Sequence, residues 1–454
     1  MSKEQISYSS PFPGVLAIDG EDRVREFLAR HGSAAPDVMH EGDHHEGVSG
    51  WSSVHAADGY RLHCEWSVLG SARKMSFVEI APASNQSRLA APMAFASHAE
   101  TVTPGEDEVN QALAETCRSV VKKVHDDSGH AHRAVHAKSH AILQCELEVH
   151  ADLAPELAQG IFQVPRRYQA IVRISTISGD ILNDNVSLPR GFAIKVFGVE
   201  GDRLAGSEGC RTQDFVMASG TEFPTADLKA FLTTLKRLAS TTDRAEWAKS
   251  ALSALLRPIV RAEEKLGLHG GGLKAVGGYP ESNPLGERYG SQAAYRFGDY
   301  VAKLDLVPMS ANFLALTDRE FDLDGRENAI RDEISAAIAQ EGGAWTLRAQ
   351  LCRDAIANPI EDASVAWAEE GNPYLPIATL TVRPQAAWST ERSQAVDDRM
   401  AFSPWHGISA HQPLGVIGRA RKVVYPLLSE YRGTLNRCPV RDDDSVGSCE
   451  RAPL

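Results

Sequence analysis

From residue 136 onward the chain is marked by short bursts in which apolar side chains alternate or cluster, and this period of two most narrows what it can fold into. Residues 141–149 largely alternate, 168–175 are β-branched and apolar, and 191–199 end at a Glu200-Gly201-Asp202 turn. Further strand-like runs occupy 300–308, 345–352 and 377–384. Such runs, bounded by turn residues, spell an antiparallel sheet. Helical patterns are fewer. Thr225 caps one that reaches about residue 239, a second at 245–266 is interrupted by Pro258, and the strongest spans 416–431.

A chain of 454 residues has room for two or three domains. Residues 1–105 read as a separate unit of unassigned fold, and 106–454 as the second. The first unit holds an amphipathic stretch at 22–31, a Gly/His-rich loop at 40–50 and strand-like runs at 60–68 and 75–80. A polar, Ser/Pro/Ala-rich connector at 84–108 follows it. Lys and Arg number 47 against 60 Asp and Glu, a net charge of −13, which suits neither a nucleic acid nor an anionic lipid surface. No run approaches the roughly 20 apolar residues of a membrane span. Seven scattered cysteines without CxxC spacing suggest reduced thiols, so the expected location is the cytoplasm.

Several motifs resolve to ordinary loops. His40-Glu41-Gly42-Asp43-His44 has HExxH spacing, but a zinc site of that kind needs a helix, and Gly42, Asp43, Gly47 and Gly50 belong to a loop. His125, His130, His132, His136 and His140 share no face that would unite them on a metal, and most read as surface residues. Asp322-Leu323-Asp324-Gly325 lacks the third early oxygen ligand of a calcium loop, and 270–272 lacks the Lys-Ser/Thr pair of a phosphate loop.

One constellation is more specific. Arg421 and Tyr425 lie one helical turn apart, and Arg432 follows seven residues later on the same face. Upstream stand Arg133-Ala134-Val135-His136-Ala137-Lys138, Val172-Arg173-Ile174-Ser175-Thr176 and Arg190-Gly191-Phe192-Ala193-Ile194-Lys195. Asp214-Phe215-Val216, Tyr295-Arg296-Phe297-Gly298, 360–364 with Trp367, Phe402-Ser403-Pro404-Trp405 and His411-Gln412-Pro413-Leu414-Gly415 continue the series. In this order, from Arg133 to Arg432 and over about two thirds of the chain, they resemble the haem catalases, and more closely the shorter catalase-related proteins of bacteria.

The resemblance implies an α+β fold, an antiparallel β-barrel with surrounding helices, preceded here by the small N-terminal domain. It implies haem b as cofactor, with Tyr425 as the iron ligand. A free tyrosine ionises near pH 10, so a phenolate at pH 7 costs roughly 4 kcal/mol, which Arg421 one turn away helps to offset. Arg133, Arg173 and Arg432 correspond to residues that hold haem propionates, where a planar guanidinium suits a carboxylate. His136 corresponds to the distal histidine that moves a peroxide proton, and Ser175 to the residue that orients its ring.

The chain departs from the family where Asp214-Phe215-Val216-Met217-Ala218-Ser219 places Ser219 at the usual distal asparagine, with Ala218 before it. That amide helps position a second hydrogen peroxide, and a serine offers one short hydroxyl instead. Val135, in contrast, matches dismutating catalases and not the threonine of the allene oxide synthase branch. The expected protein is a haem-dependent oxidoreductase acting on a peroxide or organic hydroperoxide in a peroxidase-like or peroxygenase-like way, assembled as a homo-oligomer. Hydrogen peroxide dismutation and a non-catalytic haem sensor or carrier are the alternatives, and turnover separates them.

Overall fold

The computed structural model describes residues 15–19, 49–55, 61–69, 72–80, 89–96, 100–186, 188–241, 281–321, 323 and 326–440. Strands β1 (Val15–Asp19), β2 (Ser49–His55), β3 (Arg61–Leu69) and β4 (Ala72–Ile80) form one antiparallel sheet in the order β1-β4-β3-β2. The runs expected at 60–68 and 75–80 are β3 and β4. The stretch at 22–31, the HExxH spacing, the 270–272 run and the helix expected at 245–266 lie outside the described residues, as does most of the Asp322-Gly325 turn.

The second sheet comprises β5 (Ser139–Val149), β6 (Arg167–Thr176), β7 (Arg190–Phe197), β8 (Thr212–Ser219), β9 (Tyr289–Gly290), β10 (Tyr295–Phe297), β11 (Tyr300–Pro308), β12 (Gly343–Leu351) and β13 (Leu375–Val382). Its order is β10-β11-β12-β13-β5-β6-β7-β8-β9, and β9 also pairs with β11. Every pairing in it is antiparallel. Strands β11 to β13 and β5 to β9 therefore close into a ring, with β10 as a flap on β11. Closure leaves the ring strands no unpaired edge, and the class is α+β with an antiparallel barrel, as the sequence led one to expect.

Because successive strand residues face opposite ways, each strand sorts its side chains between two environments. Val172 and Ile174 of β6, Phe192 and Ile194 of β7, and Phe215 and Met217 of β8 fill the interior with Leu304, Leu306, Trp345, Leu347 and Leu380. The intervening residues Ile171, Ala193, Phe197 and Val216, with Ile142 of β5, face outward beneath Val396, Met400 and Phe402. Strand β8 gave no strand signal in the sequence because Asp214 interrupts it. In the barrel Asp214 stands opposite Lys195 of β7, and both carboxylate oxygens lie 2.8 Å from the buried ammonium.

The labelled helices are α1 (Glu106–Ser128), α2 (Leu228–Thr241), α3 (Ala329–Gln340) and α4 (Gly415–Leu435). The sequence reading carried the polar connector to residue 108 and left α1 and α3 unassigned. Glu106, Asp107 and Glu108, which read as linker, form the first turn of α1, where carboxylates suit the positive end of a helix. Leu113, Cys117 and Val121 of α1 pack with Ile417 and Ala420 of α4 and with Leu228 and Leu232 of α2. Arg419 of α4 grips Glu106 at 2.6 Å, Glu100 at 2.7 Å and Glu361 at 2.9 Å. The connector is bonded to the barrel side through Met93 N to Cys352 O and Phe95 N to Asp299 O. No helix among the described residues is long and apolar enough to cross a membrane.

His411 shows how tightly the barrel end is closed. Its ring is wholly buried among Phe162, Phe215 and Phe297, and Nε2 accepts the Ile161 backbone N–H at 3.1 Å. Burial pushes its pKa down to about 3 from 6.5. The unfolded chain thus binds a proton below pH 6.5 that the folded chain refuses until about pH 3, and stability falls as the pH drops through that window. Denaturant midpoints should decline from pH 7 to pH 4.5. His411→Gln, which keeps an acceptor for Ile161, should make the decline shallower by about 1.4 kcal/mol per pH unit. An unchanged slope would remove His411 as a source of acid sensitivity.

Candidate functional site

The outward face of β6, β7 and β8 carries the site. Ser175 pairs with Gly191, and Gly191 pairs with Ala218, so these three positions form one row across the strands. The next outward row is Ile142, Arg173, Ala193 and Val216. Directly opposed residues share a face, and His136 lies over the first row. A Cβ built on Gly191 would fall 2.5 Å from Cε1 and Nδ1 of His136 and 3.2 Å from Ser175 Oγ. The glycine of the Arg190-Gly191-Phe192 motif is thus the space the imidazole fills. Ser175 Oγ and His136 Nδ1 are 3.2 Å apart, a hydrogen bond whose direction depends on the tautomer.

His136 has φ +60°, in the left-handed region that costs a non-glycine residue about 1–2 kcal/mol. Two contacts hold this turn: Arg173 NH2 donates to the His136 carbonyl at 2.8 Å, and Ala137 N–H donates to Ser178 O at 2.7 Å. Burial, then Arg173, Arg421 and Arg133, pushes the imidazole pKa down to about 3. Near neutral pH the ring is uncharged and basic nitrogen is available.

Around it the arginines converge. Arg173 Nε lies 2.6 Å and Arg133 NH1 3.0 Å from Asp397 Oδ1, and Arg133 also donates to the carbonyls of Asp397 and Met400. Arg432, buried near the end of α4, donates to Met400 O at 3.4 Å. Burial alone would raise the Asp397 carboxyl, but Arg173, Arg133 and Ser139 more than reverse it and hold it below the ordinary carboxylate range. Asp398 turns to His130 instead, at 2.9 Å. Two guanidiniums thus share one inner carboxylate, and a third, that of Arg432, stands close enough to Arg133 to act on it.

Arg421 and Tyr425 sit half-buried on α4, and the helix start is seated by Trp405, whose indole N–H donates to Gly418 O at 2.8 Å. Arg421 acts on His136 from across the site. It also acts, together with Tyr425, on Tyr295, a wholly buried phenol whose hydroxyl has no hydrogen-bond partner. His136, Ser175, Arg133, Arg173, Arg421, Tyr425 and Arg432 therefore come together from β6, α4 and the loop before β5.

One expectation needs correcting. Ser219 does not join this face: it alternates with Ala218, and its hydroxyl lies 3.0 Å from Glu287 Oε2 and accepts the Arg190 N–H at 3.0 Å. Ala218, one residue earlier, is the side chain in line with Gly191 beneath His136. Strand parity decides this, and aligning residue letters does not reveal parity. Of the clustered histidines, His125, His130, His132 and His136 are partly exposed and one is not. His140 is wholly buried with Nε2 2.5 Å from Thr176 Oγ1, and burial with Arg190 and Lys138 lowers its pKa. Among the described residues no group of three or more His, Cys, Asp or Glu side chains could hold a metal ion. The sequence reading missed Asp397 and gave Tyr295 no role. Tyr295 stood in a quoted motif, whereas nothing around Asp397 signals its partners.

No protein-family model matches the chain, and no curated protein sequence does. Among solved structures it is similar to a fungal catalase at 18% identity, covering 77% of this chain and 67% of that one with a TM-score of 0.48. It is also similar to catalase A from Saccharomyces cerevisiae at 16% identity, covering 77% and 69% with a TM-score of 0.48.

Gly191→Ala should expel the His136 ring, because the added methyl meets imidazole atoms of a backbone-locked residue at 2.5 Å. The expected cost is about 1–3 kcal/mol of stability, the usual range for overpacking, together with a changed His136 signal in histidine-selective NMR spectra. Wild-type stability and spectrum in the variant would mean that the ring is not seated on Gly191.

Proposed function

We propose that this chain is a haem-dependent oxidoreductase that activates a peroxide or organic hydroperoxide. The observation that carries the reading is His136 itself: a neutral imidazole in a strained backbone turn, seated on a glycine and ringed by arginines. Strain of this kind clusters where a side chain must be aimed.

The residues present fit a haem. Arg133 and Arg173 share the single carboxylate oxygen Asp397 Oδ1, so their planar guanidiniums keep further donors that would suit haem propionates, with Arg432 beside them. Gly191 and Ala218 keep the row beneath His136 free of bulky side chains, and Tyr425 would be the iron ligand. Arg421 stands one turn before it on the same helix. Haem, when bound, supplies the redox chemistry that cleaves a peroxide O–O bond.

His136 supplies the proton traffic. With Nδ1–H donating to Ser175 Oγ, Nε2 is the base: it takes the hydroperoxide proton and returns it to the departing oxygen. Ser175 fixes the tautomer and the ring plane. The methyl of Ala218 offers no hydrogen-bond donor, so that position cannot hold a second hydrogen peroxide as an amide would. This supports peroxidase-like or peroxygenase-like turnover over dismutation. The same proposal places the haem unit in residues 106–454, in a cytoplasmic homo-oligomer with small-molecule substrates, and the net charge of −13 speaks against nucleic-acid partners.

Adding haem to the purified chain should give a saturable absorbance change that Tyr425→Phe abolishes or shifts. A chain that binds no haem, or a Tyr425→Phe protein with the wild-type spectrum, would sink the proposal. His136→Ala should retain haem but react with peroxide about 10²–10⁴-fold more slowly, which stopped-flow absorbance would measure. Ala218→Asn should raise oxygen release from hydrogen peroxide, whereas Ser219→Asn should not. Fast dismutation by the wild type, followed with an oxygen electrode, would instead favour a true catalase.

A further inference from the structure

Asp397 occupies a position whose chemistry exceeds that of an ordinary ion pair. It lies in a π-helical turn, Gln394–Asp398, an irregularity that often marks a functional site. Each of its oxygens has two partners. Oδ1 receives Arg173 Nε at 2.6 Å and Arg133 NH1 at 3.0 Å, and Oδ2 receives the hydroxyls of Ser139 and Ser393, each at 2.7 Å. Ser139 in turn accepts the Trp388 indole N–H at 3.1 Å, so the carboxylate is fixed from every side.

The consequence runs through Arg173. A guanidinium is planar, so anchoring Nε on Asp397 dictates where its NH2 group points. That group reaches the carbonyls of His136 at 2.8 Å and Ala137 at 3.3 Å. His136 holds φ +60° only while its surroundings over-determine it. We propose that Asp397 is a positioning residue, which through Arg173 locks the backbone of His136 and so aims its imidazole over Gly191. Its role in peroxide chemistry rests on the haem reading above, whereas its hold on the His136 backbone does not.

Two measurements on the full chain keep the two ideas apart. The first uses haem-free protein labelled with 15N-histidine, in which His136→Gln identifies the His136 ring signals. Asp397→Ala should shift or split these signals while those of His411 stay in place. Asp397→Asn, which keeps Oδ1 as an acceptor, should fall between Ala and wild type and guards against a variant that fails to fold.

The second uses haem-loaded protein and cyanide, an acid that must surrender its proton on binding. Asp397→Ala should slow cyanide association by about 10²-fold, the scale expected for an ångström of misplacement, and haem affinity should not fall. Unchanged His136 signals in both variants would overturn the inference even if haem binds. Equal losses in haem affinity and cyanide association would also overturn it, as the mark of a merely structural acid. A wild-type chain that takes up no haem would defeat the functional reading, and the imidazole spectra would still decide the role of Asp397.

Discussion

The imidazole of His136 occupies the space that a side chain on Gly191 would need, and everything else about the site follows from keeping it there. The glycine faces outward only because β7 pairs with β6 and β8 in one register. A slip of β7 by one residue would turn Phe192 toward the imidazole and send Gly191 and Ala193 into the barrel. The large interior side chains prevent the slip, since Phe192, Phe215 and Trp345 have no place except the core. Packing on one face of the sheet thus fixes the chemistry on the other.

Charge is the second constraint. Arg133, Arg173 and Arg432 are drawn together at a partly buried site, where an unpaired cation costs several kcal/mol. Asp397 offsets part of this, and hydrogen bonds to backbone carbonyls satisfy further guanidinium protons. Burial first, and the arginines after it, keep His136 neutral. The arrangement that gathers the guanidiniums therefore also sets the charge state of the imidazole.

Much of this was legible in the chain. Residues 300–308 were read as a strand and form β11 with those bounds, because a run in a closed barrel must satisfy the period of two along its whole length. Arg421, Tyr425 and Arg432 could be grouped because helix geometry fixes their spacing. Helix α1 escaped because its acidic first turn imitates a linker, and β8 escaped because the charge of Asp214 breaks the apolar pattern. The ion pair with Lys195, together with the Ser403 backbone N–H, makes that charge tolerable in a wall strand.

The sequence by itself determined most of the barrel's longer strands and the helical cluster of Arg421, Tyr425 and Arg432. These depend on local periodicity and residue type. Tertiary structure alone decided that Ala218 and not Ser219 faces the imidazole, because facing is a matter of register between strands. It alone brought Asp397 to Arg173, 224 residues earlier, since no local pattern reaches across such a separation. It also gave His136 its left-handed turn, because that strain persists only where distant groups hold the backbone against its own preference.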